Sequence, residues 1–176
     1  MIERDMLACI ESVTRTLALL VFCGGAALAQ SADITGWNGL SWGTQKPAAS
    51  GALRPLRAHE CSPCSDADSL VIEAYRQNGV SYQVKLVFRA KQGLTSVTMS
   101  SADDRETFQK VLADLTARFG RPGLQSEYDG DREVTRTKWE WAKPHGKVSL
   151  SADDGDGSSG LFTIRYEARM VAVQRP

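Results

Sequence analysis

An α+β domain is the fold that this sequence predicts: an antiparallel sheet of about six strands in two three-stranded meanders, with one central amphipathic helix packed on one face. Three observations predict it. β-rich runs divided by turn residues precede Ser101 and resume after Val134. Between them Phe108, Val111, Leu112, Leu115 and Phe119 keep the three-and-four spacing of one helix stripe. The chain has 176 residues, 42% hydrophobic and 24% charged, enough to bury one core without staples.

The first meander is Leu70 to Arg76, Val80 to Arg89 and Leu94 to Ser100, separated by Gln77-Asn78-Gly79 and Lys91-Gln92-Gly93. Asn-Gly supplies the positive φ angles of a tight hairpin, and Gly93 does the same in the longer second turn. In the middle strand Tyr82, Val84, Leu86 and Phe88 share one face, while Gln83, Lys85 and Arg89 point the other way. The helix follows. Ser101 or Asp103 is expected to cap it, Asp103, Asp104 and Glu106 suit its positive end, and Gly120 with Pro122 stops it.

A polar connection, Leu124 to Arg132, leads to the second meander: Val134 to Ala142, Lys147 to Ser151 and Leu161 to Arg169. Trp139 and Trp141 share a face with Thr135 and Thr137 and are expected in the core. Val148, Leu150, Phe162, Ile164 and Tyr166 complete the apolar side. The segment Val97-Thr98-Met99-Ser100-Ser101-Ala102-Asp103-Asp104 is echoed by Val148-Ser149-Leu150-Ser151-Ala152-Asp153-Asp154, which suggests a duplicated plan.

Ahead of the domain, residues 1–29 read as a secretory signal. Arg15 precedes an apolar run from Leu17 to Ala29 that ends in Ala27-Leu28-Ala29 and is too short to span a bilayer. Cleavage after Ala29 leaves 19 basic and 18 acidic residues and removes Cys9 and Cys23. Phe22 is too large for a lipoprotein cleavage site at Cys23. A periplasmic or secreted protein of a bacterial envelope, with no membrane span after processing, is therefore expected. Residues 30–68 form a Gly/Ala/Pro-rich arm, mostly irregular, whose prolines Pro47, Pro55 and Pro63 break any long helix. Its Trp37 to Gly43 stretch is expected to form a short strand or dock on the core, and Ala48 to Arg57 carries a weak helical signal. The α+β domain is 69–170, and 171–176 is a tail.

Chemistry concentrates in His59-Glu60-Cys61-Ser62-Pro63-Cys64. Cys-x-x-Cys serves a local disulfide, a redox pair or a metal site, and the sequence leaves all three open. An oxidising envelope favours a Cys61–Cys64 bridge clipping a loop. A redox pair wants a helix start within a β/α unit, and a zinc site wants a fourth ligand, for which only Asp66 is near. The acidic loop Asp153 to Gly157 lacks the ligand order of a calcium loop and reads as a turn, as does the surround of His145. No nucleophile elbow or phosphate-cradling glycine loop occurs, so no catalytic residue and no cofactor is assigned, and a non-enzymatic protein is favoured.

Balanced charge, 21 basic against 21 acidic residues, argues against nucleic acid as a partner. Strand alternation nevertheless places Lys85, Arg89, Arg136, Lys138, Lys147 and Arg165 on the face opposite the helix, with Glu140 and Glu167. These six are the candidate partner-binding residues, for an envelope protein or an anionic envelope component; the alternation is equally that of a solvated sheet face. Trp42-Gly43, Phe88, Gly93-Leu94, Arg118-Phe119-Gly120-Arg121-Pro122, a tryptophan strand and a closing strand with Tyr166 together resemble a loose class of small uncharacterised exported bacterial α+β proteins. In layout the chain is more distantly similar to β-lactamase-inhibitor-like and outer-membrane-assembly lipoprotein modules. It departs from them in lacking a lipobox and in its Pro-rich stretch after Trp-Gly, and no catalytic residue carries over. The expected function is a non-enzymatic periplasmic binding module, using the open sheet face or a cleft beside the Trp-bearing arm. The alternative is an envelope thiol-redox or metal-binding protein using His59, Cys61 and Cys64.

Overall fold

A computed structural model describes residues 32–61, 68–102, 104–129, 134–152 and 161–169, the side chains of 126–129 and 134–135 excepted. The expected signal, Cys64, the acidic loop and the tail lie outside the described residues. The elements in chain order are β1 (Gly36–Trp37), β2 (Leu40–Ser41), α1 (Lys46–Ala52), β3 (His59–Glu60), β4 (Ser69–Gln77), β5 (Val80–Arg89), β6 (Gly93–Ala102), α2 (Arg105–Phe119), β7 (Gly123–Asp129), β8 (Val134–Ala142), β9 (Gly146–Ala152) and β10 (Leu161–Ala168). The α+β class holds, but the main sheet has eight strands in the order β3-β4-β5-β6-β10-β9-β8-β7, beside a two-stranded β1-β2 sheet.

The difference from six strands arises at the two edges. Leu124 to Arg132, expected as a connection, supplies β7, whose Gly123 to Asp129 pair antiparallel with Glu140 to Val134. A polar run can hold an edge strand because one side of its backbone stays in water and few of its side chains need a core. At the other edge His59 and Glu60 add to β4 opposite Val71 and Leu70. The second meander therefore has four strands, and it joins the first where β10 pairs with β6.

That junction gives the internal echo a geometric meaning. Val97, Thr98, Met99, Ser100 and Ser101 lie opposite Tyr166, Arg165, Ile164, Thr163 and Phe162 on one side of β10. Val148, Ser149, Leu150, Ser151 and Ala152 lie opposite the same five residues on the other. The two similar segments flank β10 in identical register, with Val97, Met99, Val148, Leu150 and Ala152 on one face beside Ser101, and Thr98, Ser100, Ser149 and Ser151 on the other.

Period-two alternation builds the core. Leu86 stands between Leu70 and Val97, and Val84 between Ile72 and Met99, all buried. α2 lays Phe108, Val111, Leu115 and Phe119 on this face. Phe108 stacks on Trp139 and Phe162, with ring centroids 5.3 and 5.8 Å apart. Asp104 is the N-cap, accepting a 2.8 Å hydrogen bond from the Thr107 amide. Ser101 does not cap; it still belongs to β6, ahead of the helix, and its hydroxyl donates to the Ser81 carbonyl at 2.8 Å. The indole of Trp141 donates to the Gly120 carbonyl at 2.7 Å and fixes the other helix end.

The arm is more regular than expected. Asn38 and Gly39, both at positive φ, turn β1 into β2 as a tight hairpin. Pro47 and Pro55 start helical turns instead of breaking them, since a fixed φ suits the first helical positions where no amide hydrogen is needed. Ile34, Trp37, Leu40, Ala49 and Leu53 join the core. The arm is held by Gly43 donating to Leu94 at 3.0 Å and Leu94 donating to Thr44 at 2.8 Å, and by a hydrogen bond between His145 and Asp33.

Candidate functional site

Because one face of the sheet is covered by α2 and the arm, the other is where strand side chains meet solvent. Lys85, Thr98, Arg165, Ser149 and Glu140 form one row across β5, β6, β10, β9 and β8 by register. Gln83, Ser100, Thr163, Ser151 and Lys138 form the next. All six expected cations lie on strands of this sheet.

Lys138, Lys147 and Arg165 are threaded on two carboxylates. Lys138 Nζ is 2.8 Å from Glu140 Oε2, Lys147 Nζ is 3.8 Å from Glu140 and 3.0 Å from Glu167, and Arg165 Nη2 is 3.2 Å from Glu167 Oε1. Glu140 is held below the usual carboxylate range, chiefly by the Lys138 hydrogen bond. Lys147 is raised above its ordinary value, chiefly by the bond to Glu167. Both signs are therefore fixed at neutral pH. The acids are the less exposed members: Glu140 and Glu167 are 25% and 24% exposed, against 33%, 40% and 54% for Lys138, Lys147 and Arg165. Lys85 and Arg136 also have partners. Arg89 and Arg165 border a shallow depression of about 400 Å³ over Ser96 and Val87. Short serines here, Ser96 and Ser149, are shaded by their long neighbours and buried.

The Cys-x-x-Cys region sits at the opposite edge. Cys61 follows β3 and is half-buried, its amide 3.4 Å from the Ser69 carbonyl, and it has a partner. Cys64 and Asp66 lie outside the described residues. His59 is exposed, with Nδ1 3.5 Å from the Arg57 carbonyl and Nε2 3.6 Å from Glu73. Glu60 reaches away to Lys46 at 3.0 Å. Among the described residues no three His, Cys, Asp or Glu side chains cluster as metal ligands. His145 is in a turn, as expected, but its partner Asp33 is 112 residues away, a pairing that no local pattern signals.

No family model matches the chain, and neither does any curated protein or solved structure. Among the described residues no helix is long and apolar enough to cross a membrane.

Proposed function

We propose that this chain is an exported, non-enzymatic interaction module of the bacterial envelope that docks an acidic protein surface on the open face of its sheet. One observation carries the reading. The two carboxylates of the ladder are less exposed than the cations they pair with, so a partner meets more of the guanidinium and ammonium groups of Arg165, Lys147 and Lys138 than of the acids. Lys85 and Arg89 extend that surface across β5. Side chains already ordered by ion pairs lose less freedom when a partner binds, and a surface of one sign steers an oppositely charged one.

The Cys-x-x-Cys segment then acts as a clip. β3 and β4 are hydrogen-bonded neighbours joined through residues 62–67, and a Cys61–Cys64 bridge would tighten that connection. Supporting this, both His59 nitrogens face groups other than a cysteine.

The test is retention of the mature protein on immobilised poly-glutamate and on phosphatidylglycerol vesicles, with Lys85→Glu, Lys138→Glu and Arg165→Glu combined as the variant. Expected is salt-sensitive retention on poly-glutamate that falls at least tenfold in a variant with unchanged circular dichroism. Equal retention of the variant would sink the docking face, and retention on vesicles alone would replace the protein partner with an anionic lipid surface. Intact mass of envelope-isolated protein checks export and the clip together: a chain starting at Gln30 and two hydrogens short of the reduced mass is expected.

A further inference from the structure

On the covered side of the sheet, two cavities meet between the arm and α2. One, of about 230 Å³, lies between the Asn78-Gly79 turn and α2, with Val80, Val111, Leu115 and Ile164 among its apolar walls. The other, of about 420 Å³, lies under the β1-β2 hairpin, where Trp37 packs on Tyr75 with ring centroids 5.2 Å apart. Gln77, Arg118 and Tyr166 line both and form the throat between them. Together they reach the size of ordinary small-molecule clefts, the first largely apolar and the second largely polar.

Two polar groups in the throat, the Tyr166 hydroxyl and the Arg118 guanidinium, are not tied up by hydrogen bonds or ion pairs among the described residues. Tyr166 is only 6% exposed, yet its hydroxyl has no hydrogen-bond partner among the described residues. No fully buried polar side-chain atom among the described residues lacks a partner, so this hydroxyl opens onto the cavity, where it is an available donor. Burial pushes its pKa up to about 12, so it remains a neutral phenol able to donate a hydrogen bond. Arg118 makes no ion pair among the described residues; its guanidinium rests 5.0 Å from the centre of the Phe119 ring. The nearby acid, Asp114, accepts a hydrogen bond from Asn78 at 3.3 Å. At Tyr166 the positive influence of Arg118 exceeds the negative influence of Asp114. Lys110, the other cation of the first cavity, is 2.7 Å from Glu106.

We infer that this cleft is a binding site for a small organic carboxylate. The carboxylate sits in the throat on the Arg118 guanidinium and the Tyr166 hydroxyl, and the apolar body of the ligand fills the cavity between α2 and the Asn78-Gly79 turn. A single uncommitted guanidinium beside a neutral phenol matches one negative charge. A phosphate dianion would bring a second negative charge close to Asp114, where the other cation of that cavity, Lys110, is already paired with Glu106. The site is independent of the open face, which lies on the other side of the same sheet.

The experiment is titration of the mature protein with benzoate, hexanoate and indole-3-acetate, each against its neutral amide and against inorganic phosphate, followed by amide chemical shifts. Expected is saturable binding of at least one carboxylate at millimolar concentration or below, with shifts centred on Gln77, Arg118 and Tyr166. Its amide should bind at least tenfold more weakly. Arg118→Gln should weaken the carboxylate at least tenfold and leave the amide unchanged. Tyr166→Phe keeps the ring in the core and should weaken the carboxylate severalfold with an unchanged melting temperature. No saturable shift with any of the three acids, equal affinity for acid and amide, or tighter binding of phosphate would each overturn the assignment. An Arg118→Gln protein that binds as wild type would do so as well.

Discussion

The two faces of the main sheet are built from the same residues of backbone and differ in almost everything else. On the covered face Leu86, Val97, Ile164, Leu150 and Trp141 are all buried and touch one another or α2. On the open face the matching positions carry Lys85, Thr98, Arg165, Ser149 and Glu140, joined where they touch by ion pairs and shaded hydroxyls. The comparison separates what stabilises the fold from what is available for recognition. Apolar burial contributes about 25 cal/mol per Å² and cannot be undone without unfolding, whereas exposed ion pairs contribute about 0 to 1 kcal/mol each and can exchange partners. A strand with its two faces so divided can present charge without weakening the core beneath it.

The sharpest way to break the comparison is at the covered face. Phe108 joins α2 to the sheet through Trp139 and Phe162, and the ring is 3% exposed. Phe108→Ala should cost about 3–5 kcal/mol, read as a lowered urea midpoint with an unchanged slope. A loss below about 1 kcal/mol, the range of surface changes, would mean that the helix is not anchored there. The arm tests the same face from its rim. Gly93 has φ +68°, and a Cβ there would lie 2.1 Å from the Gly43 carbonyl oxygen and 2.7 Å from that of Thr44. The strained backbone and the clash act together, so Gly93→Ala should cost on the order of 3 kcal/mol. Amide exchange should speed up selectively at Gly43 and Leu94, whose amides hold the arm to β6. Protection unchanged at both would show that the arm is held elsewhere.

That glycine illustrates how far the sequence could be read. Lys91-Gln92-Gly93 announced a turn and a positive φ, and both are present, but the close approach of Thr44 spans 48 intervening positions and has no local signature. Long periodic runs were readable because their pattern states which side is buried: the three first-meander strands, α2 and the covered tryptophan Trp141 all follow from it. The edges were not, because β3 and β7 have one partner each and need no apolar alternation, so His59-Glu60 and Leu124 to Arg132 look like connections. The six cations of the open face were readable for the same reason as the core, since they are its complement. What sequence could not give was their pairing, which depends on register: Lys147 meets Glu167 only because β9 and β10 align those two residues. The throat residues were harder still. Arg118 stood within a helix-ending motif and Tyr166 in a strand pattern, and only the insertion of β10 beside β6 brings them to one cavity.

The smallest predicted effect sharpens the open face. Glu140 is held below its ordinary pKa first by the Lys138 hydrogen bond, with burial opposing it. A carboxylate with a lowered folded pKa contributes stability that is fully present above its unfolded value, near 4.5, and is lost as pH falls through the lower folded value. Glu140→Gln removes that dependence. Discounted for solvent screening, the loss at neutral pH should be about 0.5 kcal/mol, and it should shrink toward zero below pH 4.5, where the wild-type carboxylate also becomes neutral. Raised salt should narrow the same gap, because the Debye length contracts to about 3 Å at 1 M. The converging stability curves of the two proteins, followed by urea midpoints at several pH values, would mark the ladder as an ordering device for cations on an independently stable sheet. A constant gap at all pH values would instead place the contribution of Glu140 in packing, and the cations paired with it would then owe their positions to the backbone alone.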